Sequence, residues 1–301
     1  MFLESFLQDL RIGFRVLLKE KGFCALAVFV LALGICGVTT MFAVVNGVLL
    51  RGFNFPDADR LVDVQLVDPA NFQPGNFNSR ITTMDYKEID EMPLKSFSAI
   101  TANLNGSTVN VTYQGQPKRY TGGYISHDFF RTLGVAPVTG RDFLPEDDRP
   151  GVDKAVLLSD ALWKADFGSD PNIVGRAIRV NGSAATIIGV MPPKFAFPTN
   201  EQLWLPVNTA FPPKPRNDLG INFVSIIGKL KPGVTIEQAQ NEIDTVAKQF
   251  ALAYPDTNKQ FSKGLVRPLI EQFTGQQLKQ MLYVMLAFCV GVLLIACALS
   301  P

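Results

Sequence analysis

The chain has 301 residues and a formal net charge of +1, because 28 Lys and Arg nearly balance 27 Asp and Glu. Since nucleic-acid binding needs a basic surface, this balance argues against a nucleic-acid partner. The four cysteines lie in apolar segments near the two ends and lack the spacing of metal ligands, so we expect neither a disulfide framework nor a cysteine metal site. These residues are Cys24, Cys36, Cys289 and Cys297.

The first 20 residues have the pattern of an amphipathic helix. Apolar side chains such as Phe6, Leu10 and Phe14 recur at helical spacing, and Arg11 and Arg15 take the opposite face. We predict a cytoplasmic amphipathic helix over residues 1–20 that lies in the membrane interface. The alternative is a helix packed within a soluble protein.

A run of 29 uncharged residues separates Lys21 from Arg51 and predicts a transmembrane helix over residues 22–50. The run is much longer than the apolar core of a cleaved signal peptide, so an uncleaved anchor is favoured. The short flank before it carries four Lys and Arg between residues 11 and 21. Because short basic flanks stay in the cytoplasm, the amino terminus is predicted inside and the following domain outside.

A second uncharged run follows Lys279 and predicts the start of another transmembrane helix over residues 281–301. Two spans place everything between them, residues 52–280, on the outer side of the membrane. That segment is nearly neutral, with 23 Lys and Arg against 24 Asp and Glu. Because no cationic anchor follows the second run, we expect this chain to be the front part of a longer protein.

Between the two spans, short β-rich runs alternate with helical patterns, which predicts an α+β domain with mixed, mostly antiparallel sheets. Strands are predicted over residues 61–68, 107–113, 155–159, 184–190 and 223–230. Helices are predicted over residues 82–91, 127–133, 160–168 and 235–254. The last helix has a capping box formed by Thr235 and Gln238, and Asn181-Gly182 is typical of a two-residue hairpin turn.

Motifs that carry catalysis are scarce in this sequence. It has no phosphate-binding G-x-x-x-x-G-K-[ST] loop, and its single histidine, His127, lies between Ser126 and Asp128. Because neighbours in sequence rarely converge as a triad, we interpret Ser126 as the cap of a short helix that starts at His127. We therefore assign no catalytic, cofactor-binding or metal-binding residue, and no cofactor.

Two further segments have features of binding surfaces. The acidic run at residues 146–148, with Asp153 nearby, lacks the alternating pattern of a calcium loop, so a solvated face is the preferred interpretation. Phe195 and Phe197 lie among prolines in MPPKFAFP, which favours a packed connector over an exposed binding surface.

Several stretches resemble the periplasmic core domain of MacB-like permeases, in the FtsX-type group of bacterial ABC transporters. DFFRTLGVAPVTGRDFLPEDD, at residues 128–148, resembles the family's aromatic pair, LGV and GR-x-F before acidic residues. The run over residues 155–198 is similar in its FG-x-DP, IVGR, I-x-x-NG and IGVMPP elements. LWLPV at 203–207 and GKLKPGVTIEQAQNEI at 228–243 also fit. The opening helix and the lack of a fused ATPase are most similar to the duplicated orphan permeases of Acidobacteria.

The resemblance implies a non-catalytic permease subunit in the bacterial inner membrane, with residues 52–280 in the periplasm. It implies a membrane-proximal, porter-like part formed by residues 52–149 and 217–280, and an inserted β-rich part over residues 150–216. The implied partners are a separate cytoplasmic ABC ATPase, a second permease unit in a homo- or pseudo-dimer, and a periplasmic adaptor or outer-membrane protein. The domain would couple ATP hydrolysis to export or mechanotransmission.

Two other functions stay open on the sequence alone. The same domain would also suit a stand-alone, doubly anchored periplasmic binding or scaffold protein without an ATPase partner. A membrane-tethered hydrolase centred on His127 is the second alternative.

Overall fold

The computed structural model describes residues 21–46, 53, 55–71, 80–218 and 223–299. The chain divides into two compact units, one made of Met1–Gly52 with Thr274–Pro301 and the other of Phe53–Phe273. The helices are α1 Lys21–Val45, α2 Thr83–Asp90, α3 Phe129–Leu133, α4 Asp160–Asp166, α5 Val207–Ala210, α6 Ile236–Ala253, α7 Pro255–Asn258, α8 Leu269–Phe273 and α9 Gln276–Leu299. The strands are β1 Leu61–Val67, β2 Phe97–Tyr113, β3 Gln116–Ile125, β4 Thr139–Gly140, β5 Lys154–Leu158, β6 Ala177–Val180, β7 Ser183–Val190, β8 Leu203–Pro206, β9 Ser225–Leu230 and β10 Lys263–Pro268.

The first unit contains the two long helices α1 and α9, which contact each other. Among the residues that the structure describes, no helix is both long and apolar enough to cross a membrane. The spans predicted over residues 22–50 and 281–301 therefore stay predictions. The amphipathic helix predicted over residues 1–20 lies outside the described residues.

The second unit is built on one mixed sheet in the strand order β10-β1-β9-β2-β3-β8-β5-β7-β4. β6 pairs with both β2 and β7, so β2, β3, β8, β5, β7 and β6 form a closed circuit of pairings. The pairings of β3 with β8 and of β5 with β7 are parallel, and the other strand pairings are antiparallel. This arrangement confirms the predicted α+β domain with mixed, mostly antiparallel strands.

Helix α6 packs on the sheet with the apolar stripe that the sequence predicts. Its buried residues are Ala239, Ile243, Val246, Ala247 and Phe250. They share one core with Val62, Val64 and Leu66, which alternate along β1 because successive side chains point to opposite faces of a strand. The capping box is also confirmed: Gln238 N donates to Thr235 Oγ1 at 3.3 Å, and Thr235 N donates to Gln238 Oε1 at 3.0 Å.

Two glycine positions explain local features of this packing. Asn181 and Gly182 have φ angles of 49° and 81°, as the tight turn between β6 and β7 requires, which confirms the predicted hairpin. In β10, a Cβ on Gly264 would lie 2.6 Å from the Ile243 carbonyl carbon and 2.7 Å from the Asp244 nitrogen. The close approach of β10 to α6 therefore requires glycine at that position.

The predicted strands cover only part of the sheet. β2 begins at Phe97, well before the predicted start at residue 107. Its register shifts between Leu104 and Ser107, where Gly106 has a φ of 66°, and this irregularity interrupts the alternating pattern of the sequence. β3 was not predicted because it opens with four exposed residues and lacks a period-two apolar pattern there. β8 and β10 were not predicted either.

Candidate functional site

Phe53 and Phe273, the first and last residues of the second unit, lie in a cluster of phenylalanines. The ring centroid of Phe53 lies 5.4 Å from that of Phe273 and 5.2 Å from that of Phe197. Phe55 stacks on Phe53 at 5.3 Å and contacts Phe197 at 5.0 Å. We call Phe53, Phe55, Phe197 and Phe273 the aromatic joint. Because the joint contains both end residues of the unit, the chain enters and leaves this domain at one place.

The aromatic joint continues into the core of the domain. Phe197 is 7% exposed, and its ring centroid lies 6.0 Å from that of the fully buried Phe129. The indole nitrogen of Trp204 donates to the Phe197 carbonyl at 3.0 Å, which ties the segment to β8. Phe195 packs beside the Trp204 ring at 5.5 Å. The predicted packed connector at Phe195 and Phe197 is therefore confirmed, and each such ring contact adds roughly 0.5–1.5 kcal/mol beyond its burial.

A second feature is a cavity of about 390 Å³ beside α2 and the turn that precedes α3. We call it the polar cavity. Its polar wall comes from four segments of the chain, with Tyr86, Asp90, His127, Asp148 and Asn208 as the main groups. Apolar side chains and one lysine complete the wall, namely Met84, Pro150, Pro212, Pro213 and Lys87.

Asp148 is a deeply buried carboxylate of the polar cavity, with 5% of its surface exposed. One of its oxygens accepts the Asn208 backbone N–H at 2.8 Å, and the other accepts the Asn208 side-chain amide at 3.2 Å. His127 Nδ1 lies 3.9 Å from the same carboxylate. Burial raises the pKa of Asp148 to about 7, although the hydrogen bonds from Asn208 oppose this shift. The predicted solvated acidic face is therefore wrong for Asp148.

Two further groups of the polar cavity, Asp90 and Tyr86, also have raised pKa values. Asp90 lies at its exposed side, where partial burial and the charges of Asp128 and Glu91 raise the pKa of Asp90 to about 6. Tyr86 is 5% exposed, and burial with the charges of Asp128 and Asp90 raises the pKa of its hydroxyl well above the ordinary value. The cavity thus presents carboxylates beside a phenol that keeps its proton at neutral pH.

The side chains of Ser126 and His127 contact two different carboxylates. The buried Ser126 hydroxyl donates to Asp128 at 2.7 Å and accepts the Ala102 N–H at 3.1 Å. The His127 imidazole lies near Asp148 instead. α3 begins at Phe129, and its N-cap residue Asp128 makes no side-chain capping bond, so the predicted cap by Ser126 is wrong. Ser126 instead links β2 to the turn before α3.

No sequence pattern predicted the polar cavity as a whole. Asp90, Asp148 and Asn208 come from separate parts of the chain, and the turn at His127 is brought to them by the pairing of β2 with β3. The acidic run at residues 146–148 was the one local pattern that marked part of it. Within the described ranges, no group of three or more His, Cys, Asp or Glu side chains is arranged to hold a metal ion.

The family model of the MacB-like periplasmic core domain matches residues 24–246. The chain therefore belongs to this family, which is the periplasmic domain family of MacB- and FtsX-type ABC transporters. The resemblance found in the motifs at residues 128–148 and 155–198 is thereby confirmed. No curated protein matches the chain.

Two solved structures share the fold at low sequence identity. The periplasmic region of MacB from Actinobacillus actinomycetemcomitans matches with a TM-score of 0.51 and 16% identity, over 79% of this chain and 98% of that chain. A domain assigned to a permease protein from Porphyromonas gingivalis matches with a TM-score of 0.52 and 17% identity, over 72% of this chain and 93% of that chain. At these identities the likeness concerns the fold alone.

Proposed function

We propose that this chain is the permease subunit of a MacB/FtsX-type ABC transporter, whose periplasmic domain couples cytoplasmic ATP hydrolysis to export or to mechanical work in the periplasm. Family membership supports the class of protein. The observation that carries the coupling is the aromatic joint, in which Phe53 contacts Phe273. A domain held at one place by both of its ends moves as a body when the attached segments move.

The packing of the aromatic joint supports the proposal that a displacement of the ends of the domain is passed on to its sheet. A flexible Gly/Ser-rich linker would absorb a displacement by changing its own conformation. Here the rings of Phe53 and Phe273 both pack on Phe197, which is bonded to Trp204 in the core. Because close-packed protein interiors have low compressibility and transmit strain, a displacement of either end reaches the sheet.

In this proposal the domain is tethered to the bacterial inner membrane by spans over residues 22–50 and 281–301, with the amino terminus in the cytoplasm. The uncharged runs, and the Lys and Arg before the first of them, support this layout. The periplasmic residues 52–280 comprise a membrane-proximal part, 52–149 with 217–280, and an inserted part, 150–216. The adjacent positions of β5, β7 and β8 in the sheet order support that division.

The proposed function requires partners. In this proposal ATP hydrolysis falls to a separate cytoplasmic ABC ATPase, and residues 1–301 themselves contain no phosphate-binding loop. A second permease unit would complete a homo- or pseudo-dimer. A periplasmic adaptor or an outer-membrane protein would receive the motion of the domain.

The test uses the tagged chain purified from its source membranes, with its four cysteines replaced by alanine. A spin label is attached at Leu252→Cys, an 83% exposed position of α6. We expect an ABC ATPase to copurify, and trapping with ATP and vanadate to change the distance between the labels of paired chains. Recovery of the chain without an ATPase would contradict the proposed function. A distance between the labels that does not change on trapping would contradict it too.

The coupling role of the aromatic joint is tested by combining Phe53→Ala with Phe273→Ala. ATP hydrolysis should persist, while the trapped change in label distance should become smaller, because a cavity replaces the packed contact between the two rings. Phe223→Ala is the matched control, because it removes a 46% exposed ring that does not belong to the joint. An unchanged label response in the double variant would show that the joint does not couple the two processes.

A further inference from the structure

The polar cavity has the size and the walls of a ligand site. Its volume of about 390 Å³ lies within the range of roughly 300–1,000 Å³ found for small-molecule pockets. Pro150, Pro212 and Pro213 form part of the wall. Because proline rings have few internal degrees of freedom, little conformational entropy is lost when a ligand packs against them. Met84 adds an apolar side chain that adapts to the shape of its neighbour.

The carboxylate of Asp148 is held ready to accept hydrogen bonds. Its side chain is 4% exposed, and its orientation is fixed by two bonds from Asn208 and one from the His127 backbone N–H. A carboxylate offers about four lone-pair positions, so Asp148 keeps capacity for one bond from a ligand after it has bonded Asn208 and the His127 backbone. Such pre-organisation lowers the entropy cost of binding.

The polar cavity contains little positive charge to balance its carboxylates. Lys87 is 54% exposed, and its ammonium lies 4.0 Å from Glu91. Among the ion pairs of the described residues, Asp148 has His127 at 3.9 Å and Asp90 has no Lys or Arg partner. Burial, and after it the charge of Asp128, raise the pKa values of Asp148 and Asp90, and no Lys or Arg of the described residues pairs with either carboxylate to oppose this.

From these contacts we propose that the polar cavity binds an organic cation, namely a primary amine or a guanidinium group carried on a short apolar body. The N–H groups of the cation donate to Asp148 and Asp90. The apolar body lies against Pro212, Pro213 and Met84. Binding rests on the cavity alone and does not require that ATP hydrolysis drives the domain.

The donor set of the cavity suits such a cation better than a metal ion. Calcium takes six to eight oxygen ligands. Among the residues that the structure describes, three or more His, Cys, Asp or Glu side chains are nowhere arranged to hold a metal. An ammonium or guanidinium group brings its own donors and is satisfied by two or three acceptors. The carboxylates of Asp148 and Asp90 line the wall and can accept such bonds.

Titration calorimetry of the purified full chain in nanodiscs tests the proposal, with phenethylamine as the probe and 2-phenylethanol as its uncharged match. We expect the amine to bind about ten-fold more tightly than the alcohol, because charge-assisted bonds to a carboxylate are the stronger ones. Asp90→Asn and Asp148→Asn should each weaken amine binding by about five-fold or more. Asp153→Asn is the control, because it removes the same charge from an exposed position that does not line the cavity.

Equal binding of the amine and the alcohol would overturn the proposal, and so would amine binding that survives both aspartate substitutions. Asp90 lies at the exposed side of the cavity, so Asp90→Asn should still fold. Its amine affinity can therefore be measured even if Asp148→Asn disturbs folding. Weaker binding in Asp90→Asn, with normal binding in Asp153→Asn, supports the site independently of any ATPase measurement.

Amine binding should also depend on pH. Phenethylamine keeps its charge between pH 5.5 and 7.5, whereas Asp148 and Asp90, with pKa values of about 7 and about 6, lose protons over this range. The amine should therefore bind roughly ten-fold more tightly at the higher pH. The charged and titratable groups that face these carboxylates are His127, Asp128, Tyr86, Lys87 and Glu91.

The pH dependence is assigned by comparing two variants. With Asp148→Asn the change in affinity between pH 5.5 and 7.5 should shrink to a few-fold, about the part that Asp90 contributes. With His127→Asn most of the change should remain. The opposite pattern, in which His127→Asn abolishes the dependence and Asp148→Asn retains it, would overturn the assignment to the carboxylates.

Discussion

At the scale of single residues, Arg216 connects the segment after α5 to two helices through directional contacts. Its Nε donates to Asp85 at 3.0 Å, and its Nη1 donates to Glu88 at 2.8 Å. The guanidinium carbon lies 3.6 Å from the ring centroid of Tyr254. Asp85 is 1% exposed and also accepts the Thr82 N–H at 2.9 Å. One carboxylate therefore caps α2 and anchors the segment that carries Arg216.

Arg216→Ala should lower the free energy of unfolding by about 3 kcal/mol, because it leaves the buried Asp85 carboxylate without its cation. Arg216→Lys should recover only part of this loss, since an ammonium cannot reproduce the planar bonds and the ring stacking. Urea unfolding of the purified chain, followed by tryptophan fluorescence, measures both variants. Arg176→Ala is the control, because this arginine is 42% exposed in its ion pair with Asp170 and should contribute less than about 1 kcal/mol. Equal losses in the two alanine variants would contradict the prediction.

Titration of Asp148 should lower the free energy of unfolding as the pH rises from about 4 to about 7. Its folded pKa of about 7 lies above the ordinary value of 3.8, so the folded state holds a proton that the unfolded state has released. The stabilisation is complete below pH 4 and is lost as the pH passes 7, and it amounts to something on the order of 4 kcal/mol.

The measurement is urea unfolding of the wild type and of Asp148→Asn at pH 4.5 and at pH 8. The variant lacks the titrating group, so its free energy of unfolding should decrease less between the two pH values. Asp90 and Asp142, whose pKa values are raised to about 6, add a smaller dependence of the same sign in both proteins. Parallel pH profiles would show that Asp148 is not the source.

At the scale of elements, the capping box of α6 is a local device whose contribution is measurable. Thr235→Ala should destabilise the domain by about 1 kcal/mol, because the amide of Gln238 loses its acceptor at the first turn. Thr245→Ala in the same helix is the matched control, since its exposed hydroxyl only bonds the Asn241 carbonyl one turn back. That change should be neutral or slightly stabilising. Equal effects of the two substitutions on urea unfolding would contradict the predicted stabilisation by the Thr235 cap.

Elements with a strong local signal could be predicted from the sequence, and the others could not. α6 has a regular apolar stripe and a cap, and the turn at Asn181 and Gly182 has the residues that its positive φ angles require. β3 and β10 carry no comparable pattern, because their burial depends on which strands and helices pack beside them. The polar cavity could not be predicted, because no local pattern indicates that Asp148 lies next to Asn208 and His127.

At the scale of the whole molecule, strand pairing and side-chain packing hold the second unit, Phe53–Phe273, together. The closed circuit of pairings from β2 through β6 ties six strands together. The aromatic joint brings residues 53 and 273 to one place on that unit. The family was recognisable from sequence because its motifs occur at turns and strand ends, such as IGVMPP, where particular residue types are needed. The contact between Phe53 and Phe273 has no sequence signal, because it joins opposite ends of the domain.

The proposed function depends on residues 53–273 lying outside the cytoplasmic membrane, with the amino terminus inside. The most direct measurement is labelling of intact cells with a membrane-impermeant maleimide, using a chain whose four cysteines have been replaced by alanine. Leu252→Cys reports the domain, because this position is 83% exposed, and Ser5→Cys reports the amino-terminal segment. We predict labelling at residue 252 in intact cells, and labelling at residue 5 only after lysis. Labelling at residue 5 but not at residue 252 in intact cells would place the domain in the cytoplasm and contradict the proposed function.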